Sequence, residues 1–343
     1  MDERILEQLE NVPYQQDEDE TALETIKHLL EDKDMLYGWN YSKEEWERIN
    51  YELGRIKELG LEKLIVFGLT LKNIADECGR NALLGTEGCS FVLSELISAT
   101  FSEAKFNLPF ERFFNEYRKA LPVYYMYVEK GGKSKTLKRL YEKYGKSLFI
   151  KPKDSDDVYF TSGKPFNREL IKETVIVAKE NEEAYEENIS ILTSRELSKL
   201  GYYSFSITEV EEIEYFTDAN VTEQSILEKK KELFDDCYRN SVEEFDLLEE
   251  IKPYLSYTEN KLIYQEQFME ICNKVLGVSY SVADYYRREI AKKKKENLKS
   301  LKETIMQKFP ENGEKLFDYF YSVVPYSVSK AYLIACLSYK IEE

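Results

Sequence analysis

Leu121 to Val128 (Leu-Pro-Val-Tyr-Tyr-Met-Tyr-Val) carries no charge, in a chain whose residues are 33% charged. Aromatic and β-branched residues following a proline favour an extended, half-buried strand. The segment just before it, Phe110-Glu111-Arg112-Phe113, sets an acid and a base between aromatic rings. On these residues alone the stretch reads as a buried strand behind a packed loop.

The rest of the composition sets outer bounds. A length of 343 residues allows two or three domains, and 43% hydrophobic residues suit a folded, helix-rich, soluble protein. No apolar run reaches about 18 residues and no apolar segment opens the chain, so neither a membrane span nor a secretory signal is expected. The five cysteines are scattered without zinc spacing and read as reduced thiols of a cytoplasmic protein. The single histidine, His28, cannot by itself build a histidine metal site or a catalytic dyad. A net charge of −17 argues against a surface that is wholly a nucleic-acid platform. It leaves room for a local basic groove, because screening acts over about 8 Å at physiological salt.

Residues 1–41 form an acidic arm, with helical spacing over Thr21–Leu30 (Leu23, Ile26, Leu29, Leu30). Ser42-Lys43-Glu44-Glu45 has the form of a capping box opening a helix that stops at Gly60. Leu61–Leu71 reads as a strand turning helical towards Gly79. Lys133–Tyr144 reads as a basic helix, and Glu209–Glu250 as helical and acidic. Arg287, Arg288, Lys292, Lys293, Lys294, Lys295 and Lys299 form the one strong basic cluster. Phosphate contact and a solvated lysine face both explain it.

Several segments resemble the bacterial DNA polymerase III alpha subunit, a C-family replicative polymerase. Leu108–Asn115 resembles that family's LLFERFLNPER, and Leu121–Val128 its MPDxDxDF strand. Tyr51–Gly60 and Leu64–Phe67 follow the family's helix-then-strand order, and Lys143-Tyr144-Gly145 its KYG. Leu262–Ile271 resembles VIVYQEQVMQIA, and Ala283–Arg288 with Lys292–Lys295 resembles ADxLRRAMGKKK. Val324–Tyr339 resembles the GYGFNKSHA segment, with Lys330 at the family lysine. The family's histidine-rich PHP domain and its later DNA- and clamp-binding modules have no counterpart in this reading.

The resemblance implies an α+β fold: a polymerase-beta-like palm with a mixed sheet, then a mostly helical thumb and fingers region. The expected division is an arm at 1–41, a palm with a helical insertion at 42–215, and a fingers-like domain at 216–343. It also implies where chemistry should sit. The family's metal-binding aspartates fall on Tyr125, Tyr127 and Ser206, and a triphosphate lysine on Ser204. Its GRGSAAGSLV phosphate loop falls on a degenerate stretch keeping Gly85, Thr86 and Ser90, with Leu84 at the arginine and Glu87 added. A helix N-terminus packed on the sheet explains those small residues equally well. Two-metal phosphoryl transfer needs carboxylates around Mg²⁺, and phenols are neutral at pH 7. The expected reading is therefore a catalytically degenerate relative without a metal cofactor, truncated to palm, thumb and fingers. Arg287, Arg288, Lys292–Lys295 and Lys330 would meet primer–template DNA, or a replication protein would be the partner. A polymerase mimic that modulates a host replisome is the alternative; an active polymerase using Glu209, Glu211 or Asp218 is a third. The Lys-, Glu-, Tyr- and Asn-rich composition suggests a phage or mobile element.

Overall fold

Both short apolar patterns ahead of Ser42 fold as helices. In the computed structural model, described here for residues 3–14, 21–37, 41–84, 92, 108–119, 121–152, 155, 157–160, 174–176, 187–189, 194–199, 201–215, 221–238 and 248–342, α1 (Glu3–Glu10) buries Ile5 and Leu9. α2 (Ala22–Tyr37) buries Ile26 and Leu30. The Asn11 side chain donates to the Gly201 carbonyl at 2.9 Å, fastening the start of the chain to a distant turn.

The capping box forms as read. The Ser42 hydroxyl accepts the Glu45 N–H (3.2 Å), the Glu45 carboxylate accepts the Ser42 N–H (2.7 Å), and α3 (Lys43–Glu58) follows. The next stretch differs from expectation: Leu61–Leu71 is not a strand but the first part of α4 (Glu62–Cys78). Its buried residues Leu64, Ile65, Phe67, Gly68, Leu71 and Ala75 recur at helical spacing, and that longer period overrides the short β-branched run.

The uncharged stretch supplies the middle of a sheet. Its strand proper is β2 (Tyr125–Glu129), shifted towards the charged end because Leu121–Tyr124 run in before the pairing begins. β1 (Asn81–Leu84), β2, β3 (Phe149–Ile150), β4 (Asp157–Phe160) and β7 (Tyr203–Val210) form one sheet in the order β1-β2-β7-β4-β3. β2 and β7 are parallel and the other pairs antiparallel, so the sheet is mixed. β5 (Thr174–Ile176) pairs with β6 (Glu187–Ile189), and β8 (Glu212–Tyr215) with β9 (Tyr339–Glu342). The first residues of the expected acidic helix at Glu209–Glu250 are thus strand: Val210 and Ile213 are buried while Glu209, Glu211 and Glu212 are exposed.

α4 and α5 (Gly132–Tyr144) cover one face of the sheet. Phe67 is the hub, with ring centroids 5.1 Å from Phe205, 5.9 Å from Tyr203, 6.4 Å from Tyr124 and 6.5 Å from Tyr144. Burial pushes the Tyr144 phenol up to about 12 and raises Tyr203, Tyr257 and Tyr264 as well. A phenol whose folded-state pKa lies above its unfolded value of 10.0 stabilises the fold fully below pH 10 and loses that contribution as pH rises through the folded value. A spectrophotometric tyrosine titration should therefore show a late class of phenols that ionises cooperatively with unfolding between about pH 10 and pH 12.

The chain divides into two units, the first holding residues up to 104, 118–216 and the last five residues. The second holds Lys105–Tyr117 and Thr217–Ser338. The loop before the uncharged strand therefore packs with the later helices. These are α7 (Glu223–Tyr238), α8 (Lys252–Leu255), α9 (Gln265–Lys274), α10 (Tyr280–Ala291), α11 (Lys299–Lys308), α12 (Gly313–Val323) and α13 (Lys330–Ser338). Leu262, Phe268, Met269, Ile290, Leu301 and Phe320 lie in their core. Together the two units make an α+β protein, and no helix among the described residues is long and apolar enough to cross a membrane.

Candidate functional site

Strand register decides which side chains of the first unit can act together. Alternate residues of a strand face opposite sides, and cross-strand partners share a side. β2 shows this directly: Met126 and Val128 are buried, Tyr125 is 46% exposed, and Tyr127 and Glu129 are half-buried. Tyr125 pairs with Ser206 and Ser206 with Asp157, so these three form one row across β2, β7 and β4. Tyr127 and Thr208 form the next row along. The three positions expected from the sequence to carry metal ligands are thus brought together on one sheet face.

The donors there are two phenols and a hydroxyl. Ser206 is nearly buried, and Tyr127 packs against Ala82, Val210 and Ile213. Asp157 is the single carboxylate in the row; the Asp-Val-Tyr-Phe pattern of a short strand with an acidic first residue could have pointed to it. Mg²⁺ takes hard oxygen ligands in near-octahedral geometry and is commonly held by one or two carboxylates together with substrate phosphates. One aspartate beside Tyr125 and Ser206 does not fit a two-ion site. No group of three or more His, Cys, Asp or Glu placed to hold a metal ion occurs among the described residues.

The substitute carboxylates have other positions. Glu209 lies on the opposite side of β7 from Ser206, and its carboxylate accepts the N–H groups of Gly131 (2.9 Å) and Lys133 (3.2 Å) at the start of α5. Glu211 sits 3.6 Å from Lys130. Asp218 lies outside the described residues, as do Gly85, Thr86 and Ser90 of the expected phosphate loop.

In the second unit the basic residues separate into two kinds. Asp284 is fully buried, and its Oδ1 accepts from Arg287 Nε (3.0 Å) and Arg287 Nη2 (2.8 Å). Its Oδ2 accepts from Arg288 Nε (3.1 Å) and Asn115 Nδ2 (3.0 Å). Arg288 also donates to the Tyr117 carbonyl at 2.8 Å. Burial, and then the nearby Arg112 charge, pull the Arg287 guanidinium down to about 10. Both arginines thus tie α10 to the 108–117 loop. Lys330 is also buried: its Nζ donates to Glu223 at 2.5 Å and lies 5.0 Å from the Tyr257 ring and 5.6 Å from the Tyr264 ring. Lys292, Lys293, Lys294 and Lys295 are the exposed members.

The Gln265-Glu266-Gln267 run serves the fold in the same way. Gln267 Oε1 accepts the N–H groups of Ile263 and Tyr264 (2.9 and 2.8 Å), while its Nε2 donates to Thr258 and the Tyr254 carbonyl. Glu266 accepts the Lys330 and Ala331 N–H groups at the start of α13. Gln265 accepts from Arg112 and donates to the Ser327 carbonyl.

Residues 23–158 match the family described as bacterial DNA polymerase III alpha NTPase domain, and residues 227–313 the bacterial DNA polymerase III alpha subunit finger domain. The first match holds Tyr125 and Tyr127 but not Ser206, and the second holds Arg287 to Lys295 but not Lys330. Among similar curated proteins, the DNA polymerase III subunit alpha of Halalkalibacterium halodurans is 33% identical over 92 residues, 25% of this chain and 8% of that protein. That of Thermus aquaticus is 32% identical over 98 residues, 26% of this chain and 8% of its own length. That of Saccharopolyspora erythraea is 51% identical over 53 residues, 16% of this chain and 4% of its own length. The chain thus spans less than a tenth of each of these relatives in the matched stretches. Two family descriptions drawn from one polymerase subunit match separate parts of the sequence, and the chain is accordingly a bacterial DNA polymerase III alpha-like protein.

Proposed function

We propose that this polymerase III alpha-like chain is catalytically degenerate and acts by binding, in DNA replication or its control, without extending a primer. The observation that carries the reading is the Tyr125–Ser206–Asp157 row, in which two of the three side chains have no carboxylate. Asp157 remains as one anionic oxygen donor. It cannot replace a ligand set that must neutralise charge at both the attacking and the leaving oxygen. The palm-like sheet then serves as a scaffold, and what the chain does rests on the surfaces it presents.

Primer–template DNA is the partner this reading favours, because the exposed lysines lie within the finger-domain match. The net charge of −17 favours a second reading, in which the chain docks on a replication protein. Primer extension with Mg²⁺ and all four nucleotides tests catalytic degeneracy, and no product is expected. Salt dependence separates the partners, since phosphate contacts weaken steeply with salt and a partly apolar protein interface does so less.

A further inference from the structure

The turn between α10 and α11 carries four consecutive exposed lysines, and they are not equivalent. Lys292 pairs with Glu289 at 3.2 Å. Lys299 and Lys302, further on, pair with Glu303 (3.8 Å) and Glu314 (2.9 Å). Lys293, Lys294 and Lys295 form no ion pair among the described residues, in a chain with 65 acidic and 48 basic residues. Glu296 beside them is exposed and Glu289 is engaged by Lys292 and Asn297.

The turn is also braced. The Lys293 N–H donates to the Ile290 carbonyl (2.8 Å) and the Lys294 N–H to the Glu289 carbonyl (3.0 Å). The Tyr321 hydroxyl donates to the Lys293 carbonyl (3.1 Å), and Lys295 Nζ lies 4.6 Å from the Tyr321 ring centroid. Lys293 has φ +57°, a left-handed conformation that residues bearing a Cβ seldom adopt. A merely solvated lysine face needs none of this fixing, because adjacent ammonium groups repel and lower their energy by spreading apart.

We propose that Lys293, Lys294 and Lys295 form a preorganised contact for the phosphate backbone of nucleic acid, and that Arg287, Arg288 and Lys330 only hold the fold beneath it. The proposal rests on the reading that the chain meets DNA without copying it. Three unpaired ammonium groups held on one turn suit a regular line of phosphates, whose neutralisation releases condensed counterions. The contact can be local in an otherwise acidic protein because distant carboxylates are screened beyond about 8 Å.

The test is fluorescence anisotropy of a labelled primer–template duplex with the full chain across a salt series. The variant is Lys293→Gln/Lys294→Gln/Lys295→Gln. The control is Lys135→Gln/Lys138→Gln/Lys143→Gln on exposed positions of α5, which removes the same charge elsewhere. The turn variant should flatten the plot of log affinity against log salt by about 3 units, about one for each phosphate that is no longer neutralised, while the control keeps the parent slope. Circular dichroism should show both folded. An unchanged slope in the turn variant, equal effects in the two variants, or no salt-sensitive binding by the parent would overturn the interface. Primer extension in the same samples would overturn catalytic degeneracy alone, so failure of one idea is distinguishable from failure of the other.

Discussion

Replacing Asp284 with alanine is expected to destabilise the second unit by about 3–5 kcal/mol, the usual cost of breaking a buried ion pair from one side. The carboxylate is fully buried and accepts four hydrogen bonds, from Arg287, Arg288 and Asn115. Removing it leaves the Arg287 guanidinium, 7% exposed, beside Arg112 with no anion to offset either charge. Loss of the Asn115 bond also frees the 108–117 loop from α10. Hydrogen exchange of α9 and α10 amides reads the effect within this unit. Exchange accelerated by two or more powers of ten is expected, and an Asp284→Ala protein with parent protection would contradict the assignment. Substituting Asp284 and Arg287 together by apolar residues should cost less than Asp284→Ala alone, because no uncompensated charge then remains.

Phe67→Ala is expected to cost the first unit about 3–5 kcal/mol. The Phe67 ring is fully buried and meets Phe205, Tyr203, Tyr124 and Tyr144, so its removal opens a cavity between α4 and the sheet. Those neighbours are rigid aromatics on β7, on α5 and in the segment before β2, which limits how far they can collapse into the space. Hydrogen exchange of β2 and β7 measures the effect. Phe67→Leu should recover a large part of it, since the aliphatic side chain fills most of the volume.

Legibility in the sequence follows the range over which each feature is determined. The Ser42 capping box and the basic helix at Gly132–Tyr144 are local, and both can be read from residues a turn apart. The pairing of Tyr125 with Ser206 is not local, yet the resemblance assigns both positions and the register brings them side by side. The 62–78 helix is misread because Leu64-Ile65-Val66-Phe67 has strand composition over four residues and helical spacing only over twelve. Glu209 looks available for metal because nothing nearby in sequence reveals that it meets the N–H groups of Gly131 and Lys133, some 77 residues away. Arg287 and Arg288 look like phosphate contacts for a related reason. Asp284 lies within one helical turn of both, so the pairing is within reach of the sequence; that all three are sequestered depends on the 108–117 loop folding onto α10.

Position and chemistry have separated in this chain. The sheet keeps the cross-strand row that in the family resemblance holds metal ligands, while Tyr125 and Ser206 remove carboxylates from it. The exposed cations have meanwhile narrowed to one turn, since Arg287, Arg288 and Lys330 of the expected site are engaged in internal pairing.

The measurement that bears most directly on this account is primer extension by the purified full chain with Mg²⁺ and nucleotides, run beside an Asp157→Asn protein. The account predicts no extended product from either. Template-directed, Mg²⁺-dependent extension by the parent that disappears in Asp157→Asn would contradict it, and would mean that one aspartate on this face suffices to organise the chemistry.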